Sequence, residues 1–69
     1  MRFYIRQGWT IIHLPHHGEV DKNYHGVRAW CERQFKTGDW VAKLYGMGDG
    51  ARFGFKNPED ATIFSLRWL

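Results

Sequence analysis

The chain is poor in the residues that usually announce covalent or catalytic chemistry. Among its 69 residues there is one cysteine, Cys31, and one serine, Ser65. A single thiol excludes an intramolecular disulfide framework, and it points to a reducing, intracellular setting. Ser65 falls within a helical pattern, without the flanking glycines of a nucleophile elbow. Cys31 and His25 are six positions apart and do not share a helix face, so they do not make a thiol–base pair. No three basic residues stand together, so no cationic stripe is visible along the sequence. No apolar run approaches the roughly 20 residues that cross a bilayer. The start alternates charged and apolar residues, unlike a secretory signal. These absences predict a cytoplasmic protein with no membrane partner, no cofactor and no enzymatic activity.

Aromatic bulk is what the chain has in quantity: four tryptophans, three tyrosines and five phenylalanines. A domain this small buries only about 60% of the surface its unfolded chain exposes. Aromatics bury roughly 150–250 Å² each, and can build a sufficient core from few residues. The formal net charge of +3 serves solubility and by itself selects no partner.

The most legible stretch is Arg52-Phe53-Gly54-Phe55-Lys56-Asn57-Pro58-Glu59-Asp60. The first five residues alternate as a strand with one buried face. Asn57 then stands at a helix N-cap, with Pro58 at the first helical position and Glu59 and Asp60 in the first turn. Asp60 is placed to complete a variant of the capping box. The helix runs towards Arg67, with Ala61, Phe64 and Trp68 on one side and Ile63 and Leu66 beside them.

Upstream, Arg2 to Leu14 is β in character, with Gly8 marking a bulge or a junction between two short strands. Asp21 or Asn23 can cap a helix reaching Lys36, whose buried stripe is Tyr24, Val27, Cys31 and Phe35 with Trp30 beside it. Arg28, Glu32, Arg33 and Lys36 form its wet side, and Gly38 supplies a C′ residue. Asp39 to Tyr45 alternates again, and Gly46-Met47-Gly48-Asp49-Gly50 turns it into the Arg52 strand as an antiparallel hairpin. The resulting order, β-α-β-β-α, predicts one α+β domain over residues 1–69. It is a small sandwich with an antiparallel-rich sheet and two helices on one face, like a truncated ferredoxin-like fold.

Three motifs suggest chemistry. Arg52-Phe53-Gly54-Phe55 followed by Pro58-Glu59-Asp60-Ala61 resembles the third strand and second helix of RNA-recognition motifs, in which strand aromatics stack on bases. Here that geometry would turn Arg52 and Lys56 into the core, where unpaired charges cost several kcal/mol each. Phe53 and Phe55 are therefore expected inside. His13, His16 and His17 are candidate metal ligands, but without CxxC or HxxxH spacing they read as a polar connection and no metal site is expected. The glycine-rich segment joins two strands and so lacks the helix N-terminus of a phosphate-binding loop.

The ending Phe55-x-Asn57-Pro58-Glu59-Asp60-Ala61-x-x-Phe64-x-Leu66-x-Trp68 resembles the C-termini of short accessory proteins of tailed phages. The helix containing Trp30 matches an upstream helix in that family. The resemblance implies a setting in which small proteins dock on a host macromolecular machine, of defence or transcription, and modulate or inhibit it. The expectation is a non-enzymatic protein-interaction module with a host protein as partner. Its candidate contact residues are Tyr4, Arg6, Trp9, Arg28, Arg33 and Tyr45, because Trp, Tyr and Arg dominate interface hot spots. The alternative is a nucleic-acid-binding face built from Lys43, Arg52 and Lys56 with Tyr45. A monomer and a homodimer are both open, since an uncovered sheet edge can pair with a second copy.

Overall fold

The computed structural model describes residues 2–14, 19–45 and 50–69, with the side chains of 19–23 left aside. The order is α1 (Arg2–Arg6), β1 (Thr10–Leu14), α2 (Glu19–Gln34), β2 (Trp40–Leu44), β3 (Ala51–Phe55) and α3 (Pro58–Trp68). The three strands form one sheet in the order β1-β3-β2, and both outer strands run antiparallel to β3. β1 and β2 are therefore parallel to each other with β3 slotted between them, which is the split β-α-β arrangement of the expected α+β fold.

Register decides which side chains meet. Phe53 stands opposite Ile12 and Ala42, and Phe55 opposite Thr10 and Trp40. Opposed residues in an antiparallel ladder share a face. This face carries the core. Phe53 and Phe55 are fully buried, and the Phe64 ring of α3 lies 4.8 and 5.0 Å from them. Helix α2 closes the same face with Tyr24, Val27 and Cys31, and just beyond its end the Phe35 ring packs 5.3 Å from Phe55. The opposite face carries Ile11 and His13 of β1, Arg52 and Gly54 of β3, and Val41 and Lys43 of β2. The alternation of Arg52–Lys56 and the stripe of α2 are both realised.

Four local expectations need correction. Residues 2–6 are helical, and the reason is at Gly8, whose φ of +84° is the left-handed conformation of a helix C′ residue. The Gly8 N–H donates to the Ile5 carbonyl (3.1 Å) and the Trp9 N–H to the Tyr4 carbonyl (3.0 Å). That pair of bonds is a Schellman motif, and its usual apolar contact is present as Tyr4 against Trp9, with ring centroids 4.7 Å apart. The glycine thus ends a helix and starts a strand; it is not a bulge.

Helix α2 begins at Glu19, so Asp21 and Asn23 lie inside it and do not cap it, and it ends at Gln34. Gly38 does not cap it either. The Asp39 N–H donates to the Lys36 carbonyl (3.0 Å), and Gly38, with φ of +93°, occupies the third position of that turn, where type II geometry requires a positive φ. At α3, Asn57 is the N-cap and Pro58 opens the helix, but the Asn57 side chain makes no capping bond to the backbone. Its amide nitrogen instead donates to the Asp39 and Asp60 carboxylates (3.3 and 3.4 Å), tying the helix start to the base of β2. Finally, Ile63 and Leu66 face solvent, Leu66 with 84% exposure, while Ala61 and Phe64 are buried. The glycine-rich segment 46–49 and residues His16 and His17 lie outside the described residues.

Candidate functional site

An open groove of about 900 Å³ lies along β2. Its floor is the strand itself, Trp40 to Lys43, with Thr37 and Gly38 at one end. Arg2, Phe3 and Tyr4 of α1 form one wall, and Arg28 and Glu32 of α2 form the other. Helix α2 sits on the core face, and no residue of α1 joins the core. The Schellman motif at Gly8 turns α1 back from β1, and Arg2, Phe3 and Tyr4 border the same groove as Arg28 and Glu32.

The walls are polar where they meet solvent. Arg2, Arg28, Glu32 and Lys43 are all exposed. The Arg28 guanidinium lies 5.9 Å from the centre of the Trp40 ring, a cation–π placement that keeps its charge over the floor. Phe3 is 65% exposed and packs edge-on against Tyr4 at 5.2 Å, so the α1 wall also offers apolar area. Three cations against one carboxylate give the groove a positive balance.

Of the expected contact residues, the groove gathers Tyr4 and Arg28, together with Lys43 from the alternative set. Trp9 is half-buried behind Tyr4, Arg6 is exposed in the last turn of α1, and Arg33 is exposed on α2; none of the three lines the groove. Arg2, Phe3, Glu32 and Trp40 are site residues that sequence reasoning did not single out. For Arg2 and Phe3 the available signal was the Tyr4…Gly8-Trp9 spacing of a helix terminator.

The alternative face is also partly assembled. Lys43 stands opposite Arg52 in the ladder, and their cationic groups lie 5.2 and 4.4 Å from the centre of the Tyr45 ring. Tyr45 is therefore already occupied by the protein's own cations, which reduces its value as a stacking platform for bases. Lys56 is exposed two positions beyond Gly54 on the same side.

His13 is exposed on β1. Among the described residues no three His, Cys, Asp or Glu side chains converge as metal ligands would. Cys31 is fully buried, and desolvation pushes its thiol up to about 12, far from the thiolate a nucleophile needs. Among the described residues no helix is long and apolar enough to cross a membrane. No family model matches the chain, and no curated protein or solved structure matches it either.

Proposed function

We propose that the chain is a non-enzymatic protein-interaction module whose contact surface is the groove beside β2. The observation that carries this reading is the convergence of Tyr4, Arg28, Trp40 and Lys43 on one open concavity. Arg and aromatic side chains around a partly apolar depression are the composition of interface hot spots. The buried, protonated Cys31 offers no competing nucleophile. On the resemblance to tailed-phage accessory proteins, the partner is a host protein and the effect of docking is to modulate its machine.

The test is capture from a host lysate by the wild-type chain and by an Arg28→Glu/Lys43→Glu variant, at low and high salt and after nuclease. The reading predicts a protein captured by the wild type through salt and nuclease, and lost from the variant. Equal capture by both would refute the groove as the contact surface. The basic face of Arg52, Lys43 and Lys56 supports nucleic-acid binding as a second reading. It predicts capture that disappears with nuclease and falls steeply with salt.

A further inference from the structure

The pairing of β2 with β3 determines where its backbone groups point. The Lys56 N–H donates to the Asp39 carbonyl (2.9 Å) and the Tyr45 N–H to the Gly50 carbonyl (2.8 Å), at the two ends of one ladder. Bonded pairs in an antiparallel ladder recur at every second residue, so Val41–Gly54 and Lys43–Arg52 are the bonded pairs between them. Trp40, Ala42 and Leu44 consequently turn their N–H and C=O groups away from β3. Since β2 is an outer strand, those of Trp40 and Ala42 face the groove, and those of Leu44 continue the same edge just beyond it. A five-residue strand is about 17 Å long. The groove is therefore a row of alternating donors and acceptors, flanked by residues of α1 and α2.

We infer that the groove is a strand-addition site, which takes an extended acidic segment of the partner protein as a fourth strand against β2. This rests on the interaction-module reading and names its mode. The occupant is extended because successive backbone groups of Trp40, Ala42 and Leu44 pair only with a strand. It is acidic because a strand's side chains alternate between two sides and both present a cation here, Arg28 over Trp40 on the core side and Lys43 on the opposite face, with Arg2 also lining the groove and Glu32 alone opposing them. Charge complementarity of this kind fixes register and raises the association rate. A second copy of this chain, at +3, would bring further positive charge to a positive groove.

The probe is a fluorescein-labelled Glu-Glu-Val-Thr-Glu-Glu-Val-Thr peptide, which carries Glu on both faces of a strand, with a Lys-for-Glu counterpart. A third version carries N-methyl groups on alternate residues, so that one edge cannot donate. Binding is read by anisotropy, and amide exchange is followed at Trp40, Ala42 and Leu44. Ala42→Pro removes one outward N–H without removing a ladder bond, a placement that edge strands tolerate. The expected result is binding of the acidic peptide with slowed exchange at all three amides. Ala42→Pro and the N-methyl peptide should each weaken it by about tenfold or more, and the Lys peptide should not bind.

Acidic binding that is indifferent to Ala42→Pro and to N-methylation would overturn strand addition but leave the interaction module standing. Dimerisation through β2, seen in sedimentation, would assign the edge to a second copy. Protection of Arg52 and Lys43 by a single-stranded oligonucleotide, with no peptide binding, would overturn both the inference and the reading beneath it. If Ala42→Pro fails to fold, the N-methyl peptide decides the question on the wild-type chain.

Discussion

Among the described residues the sheet has two outer strands, β1 and β2, and they differ in what surrounds them. At β1 the bonded pairs are Thr10–Phe55, Ile12–Phe53 and Leu14–Ala51, so the intervening residues turn outward, as the alternate residues of β2 do. The depression beside β1 is small, about 390 Å³, and is lined by Thr10, Ile12, Ala61, Thr62, Ser65 and Leu66 among others, none of them charged. The groove at β2 is more than twice as large and carries Arg2, Arg28, Glu32 and Lys43. The backbone offers similar hydrogen-bonding potential at both edges, so the backbone does not make one of them specific. The walls do, because they decide which strand can approach.

Both edges stand on the same core, and the largest effect comes from removing it. Phe53→Ala should cost about 3–5 kcal/mol, which a domain of this size does not sustain, and circular dichroism should show both edges lost together. A second shared effect concerns Cys31. Its ionisation is disfavoured in the folded state, so the folded chain holds the proton up to about 12 while the unfolded chain releases it near 9.0. Stability should therefore fall as pH rises through that window, by about 1.4 kcal/mol per unit for this group, and denaturant titrations from pH 8 to 11 check it. Cys31→Ala should flatten that slope.

Smaller changes separate the edges. Arg28→Glu/Lys43→Glu should reduce partner capture by about tenfold or more with stability changed by no more than about 1 kcal/mol, read as affinity and melting temperature. Gly8→Ala meets no steric obstacle, but it places a side chain on a residue with φ of +84°. It should cost about 1 kcal/mol, loosen α1, and weaken capture by a few-fold through the Arg2 wall alone. Leu66→Glu, beside β1, should change stability by no more than about 0.5 kcal/mol and leave capture untouched. A loss of capture there would move the contact surface to the apolar edge.

Much of the frame is legible from residue pattern. Alternation places Phe53 and Phe55 inside without any tertiary information, because the opposite choice would bury Arg52 and Lys56. The stripe from Tyr24 to Phe35 and the Asn57-Pro58 start of α3 follow from helical spacing and capping. The first helix is misread because Phe3, Tyr4 and Ile5 favour strands by composition, while five residues are too few to show a helical period. Its signature is the terminator, with Gly8 flanked by Tyr4 and Trp9 at the two positions that touch in a Schellman motif. Ile63 and Leu66 are misplaced because an 11-residue helix with apolar residues on several sides does not declare which side meets the sheet. The groove is harder still. Whether β2 is an edge depends on β3 taking the central place, and Arg2 reaches it only through a turn at Gly8.

The measurement that tests the central claim most directly is native amide exchange of the free chain, residue by residue along β2. An open edge predicts rapid exchange at Ala42 and Leu44, with slow exchange at the ladder-bonded Val41 and Lys43 between and beside them. Slow exchange at Ala42 and Leu44, comparable to that of Val41 and Lys43, would mean that the edge is already covered in the free protein, and would contradict the account.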